Sequence, residues 1–94
     1  MEMTYAVFFD DDVIREDLPK LSKKARAETM EAIQKKLTTR PEVFGKPLRQ
    51  SLAHHWSLRV GINRIIYRIQ GKKVIIFMVG HRSTVYPDAA KRIS

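Results

Sequence analysis

The chain contains no cysteine, which excludes both a disulfide framework and a thiolate metal site. No apolar run approaches the ~20 residues needed to span a bilayer. The short N-terminal run Tyr5-Ala6-Val7-Phe8-Phe9 stops at Asp10-Asp11-Asp12 and does not have the form of a signal peptide. No glycine-rich nucleotide loop occurs. Three histidines, without cysteine and with no acid between Glu42 and Asp88, make a poor site for a divalent cation. These absences lead to an expectation of a soluble, cytoplasmic protein with no metal and no cofactor. Its 94 residues form one domain, 1–94, large enough to bury a modest core without staples.

The second absence is of negative charge. From Val43 to Pro87 there is no carboxylate, yet the segment carries Lys46, Arg49, Arg59, Arg64, Arg68, Lys72, Lys73 and Arg82. Those eight cations equal the whole formal net charge of +8, since the other Lys and Arg are matched by the 10 Asp and Glu. Charged side chains are seldom buried unpaired. An excess confined to half of a small domain therefore makes one positive face, suited to a phosphate backbone or another polyanion.

Along the chain, Thr4–Phe9 reads as a buried strand. Asp11 or Asp12 caps a helix whose stripe is Val13, Ile14, Leu18 and Leu21, with Pro19 at its end or at a kink. Ser22 caps a second helix over Lys23–Thr39, with Met30, Ile33 and Leu37 on one face. Thr38-Thr39-Arg40-Pro41 stops it. Ser51–Val60, Asn63–Gln70 and Lys73–Gly80 are extended segments rich in β-branched and aromatic residues. Gly61 and Gly71 supply the positive φ of the turns between them. The tail Pro87–Ser94 forms one or two helical turns with Pro87 at the first position. The fold class is α+β. An N-terminal strand and two antiparallel helices pack on one face of an antiparallel sheet that ends in a C-terminal meander and a short helical tail; the other face is open.

Strand alternation sorts the basic residues. His55, Ser57 and Arg59 oppose Leu52, His54, Trp56 and Leu58, so the first set faces the open side. Arg64 and Arg68 share that side. In the last strand Arg82 falls opposite Phe77, again on the open face. After that strand, Gly80-His81-Arg82-Ser83-Thr84-Val85-Tyr86 is the densest run of chemical groups. Its Tyr86 can stack on a base.

Taken together, Pro47-Leu48, Trp56-Ser57-Leu58-Arg59-Val60-Gly61, Arg64-Ile65-Ile66-Tyr67 and Val79-Gly80-His81-Arg82 with Val85-Tyr86 resemble the RelE branch of the RelE/ParE toxin superfamily. The resemblance covers essentially the whole chain. It implies a toxin of a type II toxin–antitoxin pair, a metal-independent endoribonuclease that cuts mRNA in the ribosomal A site, silenced by a cognate antitoxin. It also implies that Arg64 and Arg82 occupy catalytic arginine positions and Tyr86 the base-stacking position. Arg59, Arg68, Arg49, Lys46 and His81 are the RNA-binding candidates.

Cleavage without a metal needs a base near the 2′-oxygen, positive charge on the phosphoryl oxygens and an acid for the 5′-oxygen. Well-known RelE enzymes carry lysines where this chain has His55 and Ser57. Serine cannot serve as the base. His55 is the natural substitute, because an imidazole with a reference pKa of about 6.5 is mostly neutral at neutral pH. Two other readings remain at this stage: a ParE-like toxin that binds DNA gyrase, and an inactive basic RNA-binding relic.

Overall fold

The computed structural model describes residues 4–93. Its centre is a five-stranded sheet in the order β1-β5-β4-β3-β2. The strands are β1 (Ala6–Phe9), β2 (Lys46–Pro47), β3 (Trp56–Val60), β4 (Asn63–Gln70) and β5 (Lys73–His81). β3, β4 and β5 form the expected meander, and both turn glycines have positive φ, 61° at Gly61 and 59° at Gly71. The sheet is mixed, because β1 lies parallel to β5 while all other pairs are antiparallel. β1 is also an edge strand with Phe8 exposed, so the expected buried strand over Thr4–Phe9 is shorter and only half-covered. The backbone N–H groups of Thr4 and Tyr5 instead reach the Thr38 carbonyl.

Two helices cover one face. Helix α1 spans residues 11–20 and is π-wound over Val13–Asp17 before closing as Leu18–Lys20. The Leu18 N–H returns to the Val13 carbonyl, five residues back. This wider winding carries Ile14 to the surface (52% exposed) and turns Asp17 inward, so the expected stripe is altered. Pro19 fits because the helix ends directly after it at Leu21, whose ψ is 149°. No aspartate side chain caps this helix at Asp12.

Helix α2 begins as Lys23–Ala32, with the Ser22 hydroxyl accepting from the Ala25 N–H at 3.1 Å. Its last turn is π-wound over Ile33–Leu37. Ile33 and Leu37 are buried, but Met30 is 41% exposed and Thr29 takes the inward position, four residues before Ile33. Together Val13, Ile33 and Leu37 pack with Leu58, Ile65, Tyr67, Val74, Ile76 and Val79 as the main core.

Pro41 opens the short helix α3 (Pro41–Phe44), and Gly45 follows it. Tyr67 is fully buried beneath, and its hydroxyl donates to the Pro41 carbonyl at 2.5 Å. Burial pushes the Tyr67 phenol well above its usual range, with Glu42 adding to the effect, so the hydroxyl stays a donor. A Cβ on Gly45 would stand 1.9 Å from Tyr67 Oη and 2.8 Å from Cζ. Gly45→Ala should therefore cost about 1–3 kcal/mol of stability, toward the upper end because the ring is pinned. Denaturant midpoints at an unchanged m-value measure it. Adding Tyr67→Phe should return part of the loss, since the nearest clashing atom is the phenolic oxygen. Equal losses in the single and double variants would place the strain elsewhere.

The opposite face is not left open. Helix α4 (Val85–Ile93) lies across it, longer than the expected tail and beginning before Pro87; Ser94 lies outside the described residues. Val85 and Ala89 pack with Leu52, Ile66 and Met78, with Leu48, Phe77 and Tyr86 at the margin. β3 also begins later than expected. Gln50–Leu52 is a 3₁₀ turn and His54 adopts a left-handed φ of 71°, so alternation does not extend back from Trp56. Leu52 consequently packs under α4 rather than against the helices.

Candidate functional site

A β-bulge decides which side chains share the face beneath α4. Ile66 pairs with Met78 while its neighbour Tyr67 pairs with Ile76, leaving Phe77 as the extra residue in β5. Val74 and Ile76 point into the main core, as does Val79, whereas Phe77 and Met78 belong to the α4 cluster. Simple alternation placed Phe77 opposite Arg82. The bulge reverses that assignment, yet Arg82 keeps the predicted face through Met78 and Gly80.

The face is organised in rungs across the strands. In the first, Arg59 of β3 pairs with Arg64 of β4, which pairs with Gly80 of β5. Two like charges directly opposite each other destabilise a sheet; their own segment, Val43 to Pro87, has no acid, and the nearest carboxylates are on α2, where Glu28 and Glu31 line a cleft with Arg59. Arg64 bends back, Nη1 donating to the carbonyls of Gly61 at 3.0 Å and Asn63 at 2.8 Å. Arg82 lies exposed two residues beyond Gly80, its backbone N–H held by the Ile62 carbonyl at 2.8 Å. A side chain at position 80 would press on Val85, so its glycine lets α4 start close to this rung.

The second rung holds Ser57 and Ile66, with Lys46 paired to Ser57 from the edge strand β2. Ser57 is only 8% exposed, and its Oγ lies 3.1 Å from the Tyr86 Oη. Tyr86, in the first turn of α4, is thereby fixed over the sheet between the rungs.

His55 and Arg68 mark the third level, one position beyond the last paired residues of β3 and β4. The His55 ring packs 5.2 Å from the Phe77 ring. Its Nδ1 lies 3.1 Å from the Ala53 carbonyl, which can only accept, so Nδ1 carries the proton and the neutral ring offers its Nε2 lone pair. The Nε of Arg68 is buried with no hydrogen-bond partner. Arg49 is exposed beside the 3₁₀ turn.

His81 does not join this group. It pairs with Asn63, on the helix side of the sheet, and lines a cleft with Lys20, Ser22, Asn63 and Asp88. Its Nδ1 accepts from the Ser83 backbone N–H at 3.0 Å, which puts the neutral ring's proton on Nε2. Strand parity already assigns His81 to this side, so as an RNA-binding candidate it stands apart from the arginine group.

Sequence reasoning missed one element of the site altogether. Asp17, 5% exposed, accepts two hydrogen bonds from Arg92 of α4 and one from the Val79 N–H. The signal was an acid at position 17, inside the stripe of Val13, Leu18 and Leu21.

The pattern of the family described as "ParE toxin of type II toxin-antitoxin system, parDE" matches residues 10–86. Toxin RelG of Mycobacterium tuberculosis is 38% identical over 86 residues, covering 89% of this chain and 98% of RelG. The chain belongs to the RelE/ParE toxin superfamily. Among solved structures, the RelBE2 toxin–antitoxin complex of M. tuberculosis aligns with a TM-score of 0.79 and 36% identity, over 88% of this chain and 97% of that one. A double arginine-to-alanine mutant of the Escherichia coli toxin RelE in the free state gives a TM-score of 0.73 and 26% identity, over 98% and 100% of the two chains. These similarities lie on the RelE-like branch, so this is a type II toxin of the RelE family, with the α+β fold of those toxins. No helix of the described residues is long and apolar enough to cross a membrane.

Proposed function

We propose that this RelE-family toxin is a metal-independent endoribonuclease that cleaves mRNA in the ribosomal A site. The observation carrying this reading is the facing Arg59–Arg64 rung beside Arg82, with Tyr86 fixed above the neighbouring rung by Ser57. A phosphate seated there relieves the repulsion between the arginines, which stay protonated and pair with it in a forked geometry. Arg64 is parked on two turn carbonyls and has to swing inward to take part.

In the reaction, the 2′-oxygen attacks the adjacent phosphorus as His55 Nε2 takes its proton. The P–O5′ bond breaks, giving a 2′,3′-cyclic phosphate and a 5′-hydroxyl. Arg64 and Arg82 stabilise the charge that builds on the phosphoryl oxygens. A guanidinium is a poor acid, so Arg82 acts electrostatically and solvent supplies the proton to O5′. Arg59, Arg68, Arg49 and Lys46 hold flanking phosphates, which makes binding salt-sensitive.

Tyr86 presents a stacking surface for a base. Tyr86→Ala should lose about 1–3 kcal/mol of substrate binding. Tyr86→Phe keeps the ring and should forfeit only the Ser57 hydrogen bond, about 1 kcal/mol. Cleavage titrations with both folded variants measure the difference; equal activity would make Tyr86 a bystander.

The partner is a cognate antitoxin, as in the RelBE2 complex of the relative. Charge complementarity favours an acidic or amphipathic segment that orders on this face and displaces α4. Expression with and without the neighbouring reading frame, followed by mapping of mRNA 5′ ends, tests the function. Cut messages with translation arrest support it. A DNA-damage response with intact messages supports gyrase binding instead, and salt-sensitive RNA binding without cuts supports an inactive relic.

A further inference from the structure

The parallel strand β1 stops at Phe9, and β5 continues past it paired with β4 on its other side. Beyond that point the exposed edge of β5 is completed by side chains. Asp10 still donates its backbone N–H to Ile76 at 2.9 Å. Next, the carbonyl of Phe77, the bulged residue, accepts from Arg92 Nη1 at 3.1 Å. The Val79 N–H then donates to Asp17 Oδ2 at 3.0 Å. Asp17 and Arg92 are themselves joined as a fork, Nη1 to Oδ2 at 2.8 Å and Nη2 to Oδ1 at 2.9 Å. Asp12 and Glu16 stand further out at 3.9 and 3.7 Å. Hydrogen bonding to Asp17 raises the Arg92 pKa above its usual value despite partial burial, so the cation is permanent.

Three elements therefore meet in one ion pair: α1 through Asp17, α4 through Arg92, and the β5 bulge through both. We propose that the Asp17–Arg92 fork is a positioning pair for the RNA site, seating Tyr86 over Ser57 and holding the bulge that turns Arg82 onto the α4 side of the sheet. The second half of this role follows from strand geometry. A one-residue change of register flips every later side chain to the other side of the sheet. Without the extra residue at Phe77, Met78, Gly80 and Arg82 would follow Val74 and Ile76 into the helix-covered face. A bulge leaves backbone groups unpaired; the fork takes up the carbonyl of the bulged Phe77 and, further along the edge where β1 has ended, the Val79 N–H. The forked geometry matters as well as the charge, because an ammonium is a point charge that cannot serve two carboxylate oxygens and a carbonyl in one plane.

The inference rests on the endonuclease reading for its functional consequence, but not for its structural one. The test separates the two. Protein labelled with 3-fluorotyrosine gives three ¹⁹F signals, from Tyr5, Tyr67 and Tyr86, assigned by loss of one in Tyr86→Phe. In Arg92→Gln and Asp17→Asn the Tyr86 signal should move toward its position in urea, while the core Tyr67 signal stays in place. Single-turnover cleavage should fall at least about tenfold in kcat with a smaller change in KM, the mark of a misplaced group rather than lost substrate binding. Arg92→Lys should lie between the parent and Arg92→Gln in both measurements. If Arg92→Gln loses the folded Tyr67 signal as well, the lysine variant decides, and a shifted Tyr86 signal in it is required. An unmoved Tyr86 signal overturns the proposal, as does parental kcat in a variant that is merely less stable. A parent that cuts no RNA defeats the endonuclease reading alone, and the ¹⁹F signals still judge the fork.

Discussion

Arg82→Ala is expected to lower single-turnover mRNA cleavage by about 10²–10³-fold, the usual result of removing one preorganised donor from a developing oxyanion. Arg64→Ala should behave similarly, and the two together should lose less than the product, since both act on one phosphate. Folding should be nearly unchanged. Among the described residues Arg82 is exposed with its backbone engaged and no side-chain hydrogen bond, and Arg64 gives up two turn carbonyls. Relief of the Arg59–Arg64 repulsion even works in favour of the Arg64 variant's stability. Melting curves and cleavage rates measured on the same preparations separate the two effects. Growth arrest equal to that of the parent, at equal expression of Arg82→Ala, would show that the phosphate sits elsewhere.

The second large effect is expected at His55. A positioned general base contributes ~10²–10⁴-fold, so His55→Ala should cost that much. The tautomer supports the role, because the Ala53 carbonyl fixes the proton on Nδ1 and leaves Nε2 to accept. Its distance sets a condition. His55 lies just before β3, four residues ahead of Arg59, at most about 14 Å between backbones at ~3.4 Å per residue. The scissile phosphate must then rest over the Ser57–Tyr86 rung, with Arg64 and Arg82 reaching it from one side and His55 from the other. Single-turnover rates of the parent and His55→Ala, measured on preparations of equal stability, check the expected loss. His54→Ala, altering an exposed residue in the preceding turn, should cleave like the parent. Parental cleavage by His55→Ala would assign proton removal to solvent and leave the work to the arginines.

Much of this was legible in the sequence because it depends on local rules. The turn glycines, the Ser22 cap, the limits of β4 and the parity of Arg64 and Ser57 all follow from short-range geometry. The charge excess was readable from composition alone, but not that Lys72 and Lys73 would sit over Tyr5 and Phe8 at the β1 edge. What escaped was the set of places where tertiary contacts override period. The π-turn in α1 turned Asp17 inward and exposed Ile14, and in α2 the inward line ran through Thr29, Ile33 and Leu37 rather than Met30. No propensity scale registers one extra residue per turn. The Phe77 bulge inverted the parity of the half-strand before it, Val74 and Ile76, and left that of Met78, Gly80 and Arg82 as expected. α4 was underestimated because its amphipathic stripe is brief, and the ion pair anchoring it joins residues 75 positions apart.

The facing arginines of β3 and β4 have a further consequence, in the language of linkage. A folded state that carries self-repulsion is selectively stabilised by whatever neutralises it, in proportion to the occupancy of that ligand. RNA and an acidic antitoxin segment would draw on the same relief, so each weakens the other by competition for charge, even where their contact residues differ. The toxin is then least stable when it is free. Its unliganded form, the dangerous one, is also the form most readily lost to unfolding.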